Sequence, residues 1–166
     1  RENSVPAVVQ SYVYAGVATY QAYNGKKQDA LHSLSKAHTQ FFTQSSDEPV
    51  PIWIDHNQAN LLLNDGMTHY HLGLHKQALD SFAQTRNIQQ DSIGRVEILL
   101  DQVLAELGRD DQPRDMERCI DLWVQGIEGA RMLQSSQRLN EAVHAFTALQ
   151  AAWPGEQRIK KLREYI

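Results

Sequence analysis

The chain has one cysteine, Cys119, in 166 residues. An internal disulfide framework is therefore excluded. Proline occurs 5 times and glycine 9 times, while 42% of the residues are hydrophobic. That balance excludes a disordered chain, which buries too little apolar surface to offset its ordering entropy. Aliphatic runs are short, as at Leu61-Leu62-Leu63, against the roughly 20 residues needed to span a bilayer. No basic start followed by an apolar run marks a signal peptide. With a single thiol, this points to a cytoplasmic protein with no membrane partner. Positive charge is also short: 16 Lys+Arg face 20 Asp+Glu, a formal net charge of -4. Nucleic-acid binding by bulk positive charge is excluded. The one basic cluster, Arg158 to Arg163, reads as a solvated helix face.

Catalytic signatures are missing too. There is no Gly-rich phosphate loop, nucleophile elbow, CxxC or kinase motif. His69, His71 and His75 cluster four residues after Asp65. However, His69 and His71 lie about 200° apart on a helix, and Gly73 separates His71 from His75. No metal, no cofactor and no catalytic residue are therefore expected, and the chain is not read as an enzyme. Asp111, Asp115 and Glu117 read as helix-start residues rather than a catalytic pair.

What is present is helix. Gln, Leu and Ala are the commonest residues, and all three favour helices. Leu31, Leu34, Ala37, His38 and Phe41 form one helical stripe; Ile120, Trp123, Val124 and Ile127 form another. Val50 to Ile54 is the one strand-like stretch, and Pro51 suits the first turn of a helix instead. Breakers at Asn24-Gly25, Ser45 to Pro49, Gly73, Gly108 to Pro113, Ser135-Ser136 and Trp153 to Gly155 divide the chain. The pattern predicts an all-α fold of about eight helices near 5–24, 26–44, 51–72, 75–87, 92–107, 113–133, 136–152 and 156–165.

A repeat underlies this pattern. Ala18, Gly25, Ala30, Leu34 and Ala37 correspond to Gly66, Gly73, Ala78, Phe82 and Thr85 at a constant offset of 48. Small residues let two helices approach, and the bulky residue fills the space beside them. The segment from Asp65 to Phe82 resembles the tetratricopeptide repeat, with Gly66 and Ala78 at helix contacts and Phe82 as the packing aromatic. His69 replaces the family's usual tyrosine, and the closing proline is missing from both hairpins. A looser third unit follows in Leu104, Gly108, Cys119, Trp123 and Gly126, with Cys119 as a small buried side chain. The resemblance implies a right-handed helical-hairpin array, a tetratricopeptide-like α-solenoid. It would form a single domain over 1–166, with hairpins near 5–44, 51–87 and 92–133 and capping helices over 136–166.

The ending, Ala148 to Pro154 followed by Arg158 to Glu164, is similar to the close of bacterial Xre-type helix-turn-helix regulators. That likeness implies a ligand- or peptide-sensing module with a DNA-binding domain ahead of Arg1. DNA would be bound only through that domain. The alternative is an adaptor that scaffolds a complex without a small ligand. By the family's pattern, the concave groove presents Tyr12, Thr19 and Tyr23, then Asn60, Asn64, Met67 and His71, then Arg95 and Gln102. Asn can hold a peptide amide, Tyr and Met give adaptable contact, and Arg can grip a carboxylate. Ala15, Thr19 and Leu99 depart from a full carboxylate clamp. A homodimer closed by Trp53 or Trp123 is a further expectation, set against burial of both in the core.

Overall fold

A computed structural model describes residues 5–43, 56–88 and 92–166. Among them are eight α-helices and no strand: α1 (Ala7–Tyr23), α2 (Lys27–Thr43), α3 (Gln58–His71), α4 (His75–Gln84), α5 (Ser92–Gly108), α6 (Met116–Met132), α7 (Ser136–Ala152) and α8 (Gln157–Lys161). Single 3-10 turns follow α4 and α8. The all-α expectation holds for these residues. Val50 to Ile54, Trp53 among them, lie outside the described residues. The chain divides into two compact units, Arg1–Ile88 and Gln89–Ile166, with the boundary between the second and third expected hairpins.

In the first unit α1 packs on α2 and α3, and α3 packs on α4. Ala15, Ala18 and Ala22 of α1 and Ala30 and Ala37 of α2 are all buried, and Ala15 and Ala37 cluster with Leu61 of α3. Alanine suits this place because it brings backbones together without side-chain entropy loss. Gly66 of α3 lies so close to the Phe82 ring of α4 that a Cβ there would collide with it. Ser11 hydroxyl donates to the Ala37 carbonyl at 2.8 Å and lies 2.9 Å from His56 Nε2. Since the hydroxyl proton goes to Ala37, the imidazole donates to Ser11. This pair is a buried tie between segments, not an activated nucleophile.

The helix ends explain the hairpins. At α1 the Gly25 amide donates to Ala22 and the Lys26 amide to Gln21, both at 2.9 Å. At α3 Gly73 donates to Tyr70 and Leu74 to His69, again at 2.9 Å. Both glycines have φ near 70°, the left-handed conformation such a cap requires. The same cap closes α6 through Gln134 and Ser135, but Gln134 adopts φ 50° with a side chain. Relieving that conformation, Gln134→Gly should raise stability by up to about 1 kcal/mol, read as a higher urea midpoint with an unchanged m-value.

Two helix starts differ from expectation. α6 begins at Met116, capped by Asp115, whose carboxylate accepts from the Arg118 amide at 3.0 Å. Asp111 instead binds Arg109 through both oxygens, at 2.8 and 2.9 Å. Likewise α3 starts at Gln58 because the Asn57 side chain caps the Asn60 amide at 3.0 Å.

In the second unit α5, α6 and α7 pack on one another around Leu100, Val103, Trp123, Ile127, Phe146 and Leu149. Ile159 and Leu162 close the core from the terminal segment. Trp123 is fully buried and its indole N–H donates to the Ala142 carbonyl at 2.8 Å. Gly126 and Gly129 of α6 seat Leu100 and Val96 of α5. The close contact is thus inverted relative to the first unit, where the glycine lies on the earlier helix. Cys119 is buried, and that burial pushes its thiol up to about 12. Arg138 of α7 is also buried; it binds Glu97 of α5 at 2.9 Å and Glu141 of its own helix at 2.6 Å. Asp101, one turn beyond Glu97, has a buried Oδ2 without a hydrogen bond. Burial, then the charges of Glu97 and Glu141, push its carboxyl well above the usual range.

One set of positions escaped the sequence reading. Ala130, Ala142, Phe146 and Leu149 repeat the spacings of Gly66, Ala78, Phe82 and Thr85, namely 12, 4 and 3 residues. All eight are buried. The turn between α6 and α7 lies three residues earlier relative to this set, and Gln134 rather than a glycine occupies it.

Candidate functional site

The most distinctive surface is the outer face of α1 where it meets α3. The 17 residues of α1 include no charged side chain. One side is buried by Val8, Ser11, Ala15, Ala18 and Ala22. On the other side Tyr12, Val13, Val17, Tyr20 and Tyr23 are exposed. An apolar residue on every face marks a helix that lacks a full set of partners. An open depression of about 510 Å³ lies here, lined by Tyr12, Val13, Gly16, Val17, Tyr20 and Asn64.

α3 supplies the polar edge. Asn64 Nδ2 donates to the Asn60 carbonyl at 2.9 Å, and Asn64 Oδ1 lies 3.2 Å from the Thr19 hydroxyl. Thr19 also lies 3.2 Å from the Thr68 hydroxyl and 3.3 Å from the Ala15 carbonyl. These contacts orient the amide, leaving its second N–H and remaining lone pair for a ligand. Tyr23 stands edge-on to His71, centroids 5.4 Å apart, and Tyr12 edge-on to His56 at 5.7 Å. Burial holds His71 below its ordinary pKa, so it is a neutral hydrogen-bonding group near pH 7.

Seven of the nine expected groove residues therefore sit on α1 and α3 of the first unit: Tyr12, Thr19, Tyr23, Asn60, Asn64, Met67 and His71. Tyr12 and Asn64 share the depression, Thr19 braces Asn64, and Tyr23 meets His71. Met67 and Asn60 are half-buried beside them. Arg95 and Gln102 lie on α5 of the second unit. Arg95 is exposed and lines a separate cleft of about 540 Å³ with Val96, Leu99, Gly129, Met132 and Leu133. Gln102 is buried, so it presents nothing to an open groove. The sequence reading missed Val13, Gly16, Val17 and Tyr20. The absence of charge throughout α1 is the signal that would have found them.

Behind the face, Asp65 is nearly buried and both of its oxygens lie 2.8 Å from His38 Nε2 of α2. The hydrogen bond to Asp65 raises the His38 pKa, against the opposing effect of burial. His69 is lowered, chiefly by burial. The imidazolium–carboxylate contact therefore stabilises the fold below pH 6.5. That contribution is lost as pH rises through the raised His38 value. Melting temperatures of the native chain and His38→Gln should accordingly differ more at about pH 6 than at about pH 8.5. Taking the difference removes most of the opposite contribution of His69.

Among the described residues no group of three or more His, Cys, Asp or Glu is placed to hold a metal. No helix among them is long and apolar enough to cross a membrane. Comparisons with protein-family models, curated proteins and solved structures find no match.

Proposed function

We propose that this chain is a tetratricopeptide-like interaction module that captures a protein segment on the α1–α3 face of its first unit. The observation that carries this reading is the uncharged, exposed tyrosine and valine face of α1, edged by an amide already oriented by Thr19 and Asn60. An uncharged segment loses little on desolvation there, and Asn64 can fix its backbone. Three buried sets at spacings of 12, 4 and 3 residues support a right-handed hairpin array. The resemblance of the layout and ending to Xre-type regulators supports reading the module as part of a cytoplasmic transcriptional regulator. Capture would there shift the balance between two arrangements of a DNA-binding domain. A gene encoding no helix-turn-helix ahead of Arg1 removes the regulator part of the reading.

A second reading, a scaffold joining two proteins, is favoured by the separate Arg95 cleft of the second unit. The test is a thermal-shift screen with synthetic uncharged peptides rich in Leu and Tyr. A peptide at 100 times its Kd should stabilise the fold by about 2.7 kcal/mol. Asn64→Ala should weaken the best peptide by about tenfold. If no peptide shifts the melt, or if Asn64→Ala changes nothing, capture on this face is refuted.

A further inference from the structure

Glycine inside a helix is disfavoured relative to alanine, and three helix glycines here have a visible reason for it. Gly66 seats Phe82, Gly126 seats Leu100 and Gly129 seats Val96. Gly16, in the middle of α1, is different: a Cβ there meets no described atom within 4 Å. It also lies on the exposed side, between Tyr12 and Tyr20, each four residues away. Nothing described within the chain accounts for a small residue at that point.

We infer that Tyr12, Val13, Gly16, Val17 and Tyr20 form a twofold contact through which two copies of this chain pair, their α1 helices crossing antiparallel at Gly16. This rests on the reading of the α1–α3 face as the interaction surface and names its partner. In such a crossing Gly16 meets Gly16, and Tyr12 of each copy meets Tyr20 of the other. An isologous contact requires this self-complementarity. The absence of charge on α1 means that self-pairing brings no like charges together. Tyr12 is 52% exposed, Val13 51%, Val17 37%, Tyr20 70% and the neighbouring Tyr23 73%. Together they offer on the order of 500 Å² per copy, or about 1,000 Å² for the pair, the lower limit for a specific interface. A dissociation constant on the order of micromolar fits so small a contact.

Light scattering and sedimentation of this chain from about 1 to about 200 μM test the pairing. A concentration-dependent monomer–dimer equilibrium is expected. Gly16→Arg should leave the helical circular dichroism and melting temperature of the monomer intact or improved, because its side chain enters open space. It should raise the dimer dissociation constant at least about 100-fold by setting two charges face to face. Val17→Glu on the same face should act alike. A chain that stays monomeric throughout overturns the pairing, as does a dimer that both variants leave intact. A monomer that still shows an Asn64-dependent peptide shift loses only the pairing. A monomer without any such shift loses the interaction surface as well.

Discussion

Replacing Arg138 by Met should lower stability by about 3 kcal/mol, the lower end of the loss seen when one partner of a buried ion pair is removed. Met keeps much of the apolar stem, so the loss isolates the charge. Arg138 is buried and is the cation that binds both Glu97 and Glu141. Without it, α5 and α7 present two carboxylates and Asp101 to one another. Glu97 and Glu141 reach solvent, which keeps the loss from being larger. Asp101→Asn should behave oppositely. Its carboxyl titrates well above the ordinary range, because burial and then Glu97 and Glu141 disfavour its charge. A raised carboxyl pKa means that stability falls as pH climbs from about 4 toward the folded value. Asn removes that slope and stabilises the unit at neutral pH. Urea titrations of both variants at about pH 5 and about pH 8 give the two signs; equal midpoints for Arg138→Met and the native chain would falsify the role given to this cation.

Phe82→Ala should cost about 3–5 kcal/mol, as for other fully buried aromatics. Phe82 has no exposed surface and its ring covers Gly66. Gly66→Ala alone should cost about 1–3 kcal/mol, because the ring cannot retreat from a packed core. With Phe82 already removed, the same alanine enters the vacated space and its helix preference is free to act. The second substitution should then be neutral or favourable, so the two effects are far from additive. Additive losses in a double-mutant cycle would mean that the ring does not rest on this glycine.

Parts of this architecture were legible because the chemistry leaves no alternative. Gly25 and Gly73 mark left-handed caps that side chains adopt at a cost, and both lie where the hairpins turn. Gln134 makes the same cap with a side chain, so no glycine marks that turn and the α6–α7 spacing set passed unread. Three aspartates precede α6, and a proline at 113 suggested an early start. The choice of Asp115 over Asp111 depends on Arg109, which draws Asp111 away. The candidate site divides along similar lines. Tyr12, Thr19, Tyr23, Asn64 and His71 came together because helix periodicity fixes which residues of α1 and α3 share a side. Gln102 did not, since α5 packs against both α6 and α7 and has less open surface than a one-sided hairpin helix would. Periodicity shows that a residue lies on a face; it does not show how many neighbours that face receives.

The lone thiol has a practical meaning. Maleimide reagents are attacked by the thiolate, not the thiol, and at neutral pH Cys119 holds almost none of its population in that form and sits wholly inside the second unit. The native chain therefore behaves toward such reagents as if it were cysteine-free. A cysteine introduced at Met132, where the side chain is 83% exposed, would take a fluorophore or spin label alone. Movements at the end of α6 then become measurable without first removing the native sulfur.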